Sequence, residues 1–234
     1  YQITDADTTN ASGVTWEIVS GNGSLDDLNI IDPTYTPDPA DAGTTVTLVL
    51  HAAGNGNCAE DTDTMRIDVN NAPTADAGND ASTCVNDPYQ IPDADTAYSS
   101  GVTWEKFNGN GTLDNNTIID PTYTPAPGDA GTTVILVLHA AGLGNCGEMT
   151  DTMRLEVVPQ PVVDAGPASD SICYGETYTL NASDSLNADS ISWTTSGDGQ
   201  FDDSLDLHPT YTPGQADLDS GYVYLYLEAF GRST

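Results

Sequence analysis

The chain has 234 residues, of which 36 are acidic and only 4 are basic, so its formal net charge at pH 7 is −32. This charge would repel phosphate backbones, which excludes nucleic acid as a partner. The acids are spread along the whole sequence, which predicts a solvated acidic surface. No apolar run approaches the roughly 20 residues of a membrane-spanning helix, so no membrane insertion is expected in this segment.

A module of 88 residues recurs along the chain. Residues 1–3 return as 89–91, and residues 31–37 return as 119–125. A third, more diverged copy keeps the pentad at 209–213. Such tandem arrays are scaffolds more often than enzymes, so no enzymatic activity is expected. The predicted boundaries are residues 1–72 for the first repeat, 73–161 for the second and 162–234 for the third.

Alternation of apolar and polar residues predicts an all-β fold. Between residues 132 and 140, every second side chain is apolar, which places these residues on one face of a strand. Turn-forming Gly, Asn and Pro residues separate such segments, and no stretch predicts a helix. About seven short strands per module suit a two-sheet β-sandwich. Tryptophans on central strands are expected in the cores, namely Trp16, Trp104 and Trp193.

The four cysteines occupy two positions of the repeat. Cys58 and Cys146 are equivalent to each other, and so are Cys84 and Cys173. Cys84 and Cys146 lie at the two ends of the second module, so the expectation is one disulfide within each repeat. The loop closed would span about 60 residues and contribute on the order of 4 kcal/mol in the chain-entropy model. Cys58 and Cys173 would then pair outside the chain. Paired cysteines predict an oxidising, extracellular location.

The first and third repeats are expected to be incomplete. The second module opens with a strand-like segment at residues 81–85 and closes with another at 150–157. The first copy has no counterpart of the opening segment, and the third has none of the closing segment. We therefore expect this sequence to be part of a longer polypeptide.

An ordered set of motifs carries a resemblance to a known family. It comprises residues 75–80 followed by Cys84, the strand around Trp104, the turn at 109–113, the pentad at 121–125 and the strand at 136–138. These features resemble the PKD-like, immunoglobulin-like tandem repeats of large secreted surface proteins of Bacteroidota, including proteins associated with gliding motility and adhesion. The resemblance implies an extracellular array of immunoglobulin-like β-sandwiches that serves as a stalk, adhesin or filament.

Calcium is the only cofactor that the sequence suggests. Alternating aspartates in a loop can direct two carboxylates at one hard cation, and acids at a joint between modules could bridge neighbours. The alternative is a solvated acidic face without bound metal, and the sequence matches no complete calcium-binding motif. The candidate ligands are Asp5, Asp7, Asp76, Asp80, Asp93, Asp95 and Asp164.

Glycosylation is the second modification to consider. A hydroxyl residue that follows Asp and precedes a small or apolar residue is similar to the O-glycosylation pattern of Bacteroidota. Because the chain is rich in Asp, Ser and Thr, the pattern also arises by chance, and some matches are expected to be ordinary strand residues. The candidates are Thr8, Thr64, Thr96, Thr152, Ser171, Ser185, Ser190 and Ser204.

No catalytic arrangement emerges from the sequence. His51 and His139 share one repeat phase, and the third copy has Glu228 there. The strand pattern predicts that these side chains point outward without identifiable partners. Acid pairs could suggest a glycoside hydrolase, but acids are so numerous that no pair is informative.

Two classes of function therefore remain. The first and second repeats are identical at 50 of the first 69 positions, which favours a structural stalk or filament, because spacers need no distinguishing face. The alternative is an array that binds a carbohydrate or a cell surface. Tyr222, Tyr224 and Tyr226 alternate in the third copy and could dock a sugar or a neighbouring chain, or else cover the face of an adjoining strand. Neighbouring repeats and laterally associated copies are the other expected partners.

Overall fold

The structure of the protein, a computed structural model, describes residues 1–182 and 184–231. It confirms the predicted all-β class, because the described elements are strands apart from two short 3₁₀ turns and one helix of six residues. None of the helices in these two ranges is long and apolar enough to cross a membrane. By contacts the chain divides into two compact units, residues 1–76, 95–103 and 138–151 in the first, and residues 77–94, 104–137 and 152–234 in the second.

The strands of the first repeat build one main sheet and one short pair. In chain order they are β1 (Ala11–Ser20), β2 (Ser24–Leu25), β3 (Tyr35–Thr36), β4 (Thr44–Gly54) and β5 (Asp61–Val69). The main sheet is antiparallel with the order β1-β4-β5, and β2 pairs with β3. A 3₁₀ turn at Pro39–Asp41 precedes β4.

The second repeat contains nine strands, seven of them in two main sheets, whereas the sequence predicts about seven strands per module. Its strands are β6 (Thr74–Asp76), β7 (Ala81–Cys84), β8 (Tyr89–Gln90), β9 (Asp95–Ala97), β10 (Ser99–Lys106), β11 (Thr112–Leu113), β12 (Thr122–Thr124), β13 (Thr132–Gly142) and β14 (Met149–Val158). One sheet has the order β10-β13-β14-β7 and the other β11-β12-β8, whereas β6 and β9 form a separate pair. A 3₁₀ turn, Pro127–Asp129, precedes β13.

The opening and closing strands of the second repeat are parallel neighbours. Ala81 lies opposite Leu155, and Cys84 lies opposite Val158. The ladder continues one residue further, because the Val85 N–H donates to the Val158 carbonyl at 2.9 Å. The chain therefore enters β7 at one end of this pair and leaves β14 at the other.

The third repeat has shorter strands. They are β15 (Val162–Asp164), β16 (Tyr178–Thr179), β17 (Asp184–Leu186), β18 (Ser190–Thr195), β19 (Gln200–Phe201), β20 (Thr210–Thr212) and β21 (Leu225–Phe230). The sheets are β16-β20-β19, β18-β21 and β15-β17. The helix α1 (Gln215–Ser220) occupies the position of the 3₁₀ turns of the other copies, where the sequence predicts no helix.

The predicted core residues are buried. Trp16, Trp104 and Trp193 each expose 4% or less of their surface. The alternation in β13 and β14 is confirmed by full burial of Val134, Leu136, Leu138, Ala140, Met153, Leu155 and Val157. The prediction that the tryptophans lie on central strands is wrong, because β1 and β10 are edge strands of their sheets. Edge strands still bury their inward face when the opposing sheet covers it.

A buried tyrosine–aspartate pair recurs in all three repeats, and we call it the Tyr–Asp latch. Its members are Tyr35 with Asp41, Tyr123 with Asp129, and Tyr211 with Asp217. The tyrosine hydroxyl donates to the carboxylate at 2.8, 2.8 and 2.6 Å respectively. All six residues expose 6% of their surface or less.

Backbone N–H groups complete the latch. In the second repeat, the carboxylate of Asp129 accepts from the N–H groups of Asn110, Gly111 and Ala126 at 2.6 to 3.0 Å. The Gly111 N–H also donates to the Tyr123 hydroxyl at 3.0 Å. A Cβ at Gly111 would collide with that hydroxyl, so this close approach requires glycine. The latch thus joins the turn after β10 to the turn before β13.

The third repeat modifies this arrangement. Asp198 replaces the asparagine, and a carboxylate cannot donate the side-chain hydrogen bond that Asn110 gives to Asp129 at 3.2 Å. Asp198 instead accepts from the Ala216 N–H at 3.1 Å, in the first turn of α1. Carboxylates stabilise helix N-termini by accepting from free N–H groups. This hydrogen bond stabilises the first turn of the short helix in the third copy.

The latch carboxylates have lowered pKa values. The largest effect on the pKa of Asp41 is the hydrogen bond that its carboxylate accepts from the Asn22 N–H. This and the other hydrogen bonds outweigh the effect of burial and lower the pKa to about 2. Burial is the largest single effect on Asp129 and Asp217 and raises the pKa, but the combined hydrogen bonds outweigh it and lower the pKa of each. Burial, followed by Asp129, raises the pKa of Tyr123 to about 12. The latch therefore consists of a charged carboxylate and a neutral phenol at neutral pH.

We expect acid to release the latch. A carboxylate with a lowered pKa contributes stability that is present above its unfolded pKa of about 3.9 and is lost as the pH falls through the folded value. Asp129→Asn should lower stability at pH 7 by about 1.5 to 3 kcal/mol, because charge-assisted hydrogen bonds are lost. Thermal melting between pH 7 and pH 2 measures the difference from the parent chain, which should shrink toward pH 2.

The matched control is Asp27→Asn, because the second repeat naturally carries Asn115 at that position. It should melt like the parent chain at every pH. An Asp129→Asn chain with unchanged melting at pH 7 would contradict a stabilising role for the latch.

Candidate functional site

Three exposed tyrosines form a row in the third repeat, which we call the tyrosine row. Tyr222, Tyr224 and Tyr226 expose 67%, 61% and 50% of their surfaces. Neighbouring rings are close, with centroids 5.8 Å apart for the first pair and 6.4 Å for the second. The residues between them, Val223 and Leu225, pack against the core of this repeat. The alternation thus turns all three phenol rings to solvent.

The backbone holds the tyrosine row in place. Tyr226 belongs to β21 and lies opposite Thr194 of β18. Tyr224 precedes the strand, and its N–H donates to the Ser196 hydroxyl while its carbonyl accepts from the Ser196 N–H, both at 2.9 Å. Rigid aromatic rings with polar tips supply contact area at a low entropy cost, which suits the recognition of sugars or protein surfaces.

The seven candidate calcium ligands are all exposed. Asp5 and Asp7 precede β1, outside the strands. Asp80 accepts from the Arg154 N–H at 2.8 Å, and Asp164 accepts from the Gly166 N–H at 2.9 Å. Asp93 lies just before β9. Several of these carboxylates therefore serve as acceptors for backbone groups.

One pair of candidates is brought together. Asp76 of β6 and Asp95 of β9 are direct partners in an antiparallel ladder, which places both side chains on one face. The third repeat repeats the pairing at the backbone level, with Asp164 opposite Asp184. Like charges placed opposite each other on adjacent strands are destabilising.

Two opposed carboxylates supply only part of the ligand set of a calcium ion. Calcium takes six to eight oxygen ligands, usually from several carboxylates and carbonyls. Within residues 1–182 and 184–231, no group of three or more His, Cys, Asp or Glu side chains is arranged to hold a metal ion. Two carboxylates can attract a hydrated cation, but they do not enclose it.

Other acids organise turns, a role that sequence reasoning missed. Asp26 accepts from the Thr34 N–H at 2.8 Å, and the same contact recurs between Asp114 and Thr122 and between Asp202 and Thr210. This hydrogen bond is the largest influence on each of the three carboxyls and lowers its pKa. The sequence signal for these contacts is the constant spacing of eight residues between the aspartate and the threonine in every repeat.

The histidines have partners that the sequence did not identify. His51 lies between Glu60 and Glu17, with its ring nitrogens 2.8 and 3.1 Å from the carboxylate oxygens. The first of these acids, followed by the second, raises the pKa of His51. His139 contacts Glu148 in the same way at 2.9 Å. Each of these histidines thus contacts an acid that immediately precedes the next strand, and His51 also contacts Glu17 of β1.

The predicted disulfide between Cys84 and Cys146 is wrong. Cys84 lies opposite Val158, the last residue of β14, whereas Cys146 precedes Met149, the first residue of that strand. A strand of 10 residues separates the two positions, and extended chain advances about 3.3 Å per residue. Their Cα atoms are far beyond the 7 Å or so that a disulfide allows. All four cysteines are thiols in this structure, with Cys58 and Cys173 exposed.

The glycosylation candidates differ in accessibility. Thr64, Thr152, Ser171 and Ser190 are exposed, and the first two lie within β5 and β14. The half-buried candidates are Thr8, Thr96 and Ser204. The side chain of Ser185 lies outside the described part of the chain.

Comparisons with known proteins define no family for this chain. No protein-family model and no curated protein matches it. Among solved structures, it is similar to Drosophila N-cadherin domains EC1–4, with 14% identity, TM-score 0.40, and coverage of 97% of this chain and 63% of that one. It is also similar to the eight N-terminal Ig domains of Down Syndrome Cell Adhesion Molecule, with 12% identity, TM-score 0.40, and coverage of 96% and 38%. An endo-fucoidan hydrolase of glycoside hydrolase family 107 matches 63% of this chain and 24% of its own length, with 16% identity and TM-score 0.26. The chain thus spans less than two thirds of each of these structures.

We expect the opposed Asp76 and Asp95 to respond to calcium. Asp95→Asn should raise stability in chelator by roughly 0.2 to 1 kcal/mol, because it removes a cross-strand repulsion and its amide oxygen can still accept from the Thr96 N–H. In the parent chain, calcium at fixed ionic strength should raise the melting temperature, and the variant should lose part of that rise.

Asp7→Asn is the matched control, since it lies in the same Asp-Ala-Asp-Thr sequence but outside any strand. It should leave both melting temperatures unchanged. If calcium has no effect on the parent chain, the acidic surface is solvated without specific cation binding.

Proposed function

We propose that this chain is a structural segment of an extracellular repeat protein, serving as a surface stalk, adhesin shaft or filament. The parallel pairing of β7 with β14 is the observation that carries the proposal. Because the chain enters and leaves this pair at opposite ends, tension along the chain loads its hydrogen bonds simultaneously in shear. Such a pair resists force better than one whose bonds break one at a time.

The local contacts suit the same role. The Tyr–Asp latch joins residues only 18 or 19 positions apart in each repeat, so each copy carries its own fastening. A net charge of −32 keeps an exposed chain soluble and opposes collapse onto like-charged copies. We propose an origin among the Bacteroidota PKD-like surface repeats, with O-glycans at the exposed Ser171 and Ser190 as an accessory modification.

Single-molecule pulling tests the shaft. Stretching the whole chain from its termini should produce a high-force event that releases roughly 250 to 280 Å, the extended length of residues 81–158 at 3.3 to 3.6 Å per residue. Forced unfolding reports the barrier along the direction of pulling.

The control changes only the direction of pulling. Attaching one handle at Cys84 and the other at the C-terminus peels β7 from β14 one bond at a time, with Cys58, Cys146 and Cys173 replaced by Ser. This event should require a lower force. Equal forces in the two geometries would contradict the shaft proposal.

The tyrosine row supports a second candidate function, the binding of a carbohydrate or cell-surface ligand. Its three rings are at least half exposed and stand in contact spacing, which is a large aromatic surface for an otherwise acidic chain. The first two repeats have no tyrosine at the corresponding positions. Binding would therefore be confined to the third copy.

Binding is tested on a panel of immobilised polysaccharides and intact cells. Tyr224→Ser removes the central ring and should weaken binding at least about tenfold, as expected when an aromatic contact of about 1.4 kcal/mol is lost. Tyr174→Ser is the control, because that tyrosine is 80% exposed but lies outside the row. Equal binding by both variants would contradict a role for the row.

A further inference from the structure

The ladder between β7 and β14 shows where the opening-strand cysteine lies within a repeat. Cys84 lies opposite Val158, and the following residue, Val85, donates its N–H to the Val158 carbonyl. The 88-residue offset puts Asn70 of the first repeat in the position of Val158. An opening strand in that repeat would therefore set its cysteine directly beside Asn70. Neighbouring strands are about 4.8 Å apart in this direction.

The structure places the other cysteine of the repeat, Cys146, beside the same residue, Asn70. The Cys146 sulfur lies 3.9 Å from the carbonyl oxygen of Asn70. Gly144 in the same loop is also near, because a Cβ built on it would lie 3.3 Å from Asn70 Nδ2. The loop between β13 and β14 of the second repeat thus contacts the end of the last strand of the first repeat. These are observed contacts and do not depend on the repeat offset.

We propose that the disulfides of this protein join consecutive repeats. The cysteine that ends the opening strand of one repeat bonds to the cysteine in the β13–β14 loop of the next. A disulfide requires two cysteines whose Cα atoms lie within about 7 Å, and both positions converge on one residue, Asn70, one through the strand ladder and the other through the sulfur contact. In a chain that contains both partner positions, Cys84 pairs with the loop cysteine of the repeat that follows, and Cys146 pairs with the opening-strand cysteine of the repeat that precedes.

The reaction is ordinary thiol–disulfide exchange. Two thiols lose two protons and two electrons and form one S–S bond, while a small-molecule disulfide such as oxidised glutathione takes up both and becomes two thiols. Each repeat then contributes one sulfur to the bond behind it and one to the bond ahead. This pattern gives both cysteine positions of the repeat a partner. It concerns covalent connectivity and does not depend on the proposed shaft function.

The bond would reinforce a short joint. Residues 70–73 are the only covalent link between the end of β5 and the start of β6. A disulfide across the same joint adds a second covalent path and closes a loop that spans more than one and a half repeats. Longer closed loops remove more entropy from the unfolded chain.

The test extends the chain with its own sequence. A copy of residues 73–88 placed before Tyr1 adds an opening strand with its cysteine to the first repeat. After refolding in a glutathione redox buffer, peptide mapping by mass spectrometry without reduction should find the added cysteine bonded to Cys146. Cys146→Ser should abolish this bond, and Cys58→Ser should leave it intact.

A second extension tests the other end independently of how the first one folds. A copy of residues 143–158 placed after Gly231 supplies the loop cysteine of the third repeat, which should bond to Cys84. A bond from the added N-terminal cysteine to Cys58, or from the added C-terminal cysteine to Cys173, would show pairing within repeats and overturn the proposal. Free thiols at Cys146 and Cys84 in both extended chains would overturn it equally.

Discussion

A buried carboxylate that is held by backbone N–H groups and a phenol underlies the architecture of each repeat. The chain has 36 acids and 4 basic residues, so an interior acid cannot rely on an ion pair. The Tyr–Asp latch meets this constraint with backbone N–H groups and one phenol, as at Asp129 and Tyr123. Burial of the charge is tolerated because these donors replace its lost hydration. The turn after β10 and the turn before β13 are thereby tied together.

The same chemistry extends to the surface. Asp26 and its counterparts accept from a threonine N–H eight residues later, and Asp198 caps the only described α-helix. The acids therefore act in two ways, as a source of solubility and as local hydrogen-bond acceptors. The two roles make different demands, since solvated acids can be exchanged freely whereas acceptors are tied to particular turns. Counting charges along the sequence does not distinguish them.

Much of the fold could be predicted because strands leave a period of two in the sequence. Val134, Leu136 and Leu138 are fully buried as that pattern requires. The cysteine pairing could not be predicted in the same way, because repeat phase identifies equivalent positions but not the end of a strand at which they lie. The latch was missed although Tyr123 and Asp129 stand in visible motifs, since their hydrogen bonds arise only when two turns meet. The partners of His51 likewise come from neighbouring strands, which local sequence does not align.

The parallel neighbours β7 and β14 also bear on how such a protein can grow. Because β7 and β14 lie side by side and run in the same direction, the chain enters and leaves this pair at opposite ends of one ladder. An in-frame duplication of 88 residues therefore delivers the chain to the next copy without reversing any strand or opening any sheet. The length of the array becomes a genetic variable that recombination between near-identical copies can adjust, while the fold of each unit is conserved.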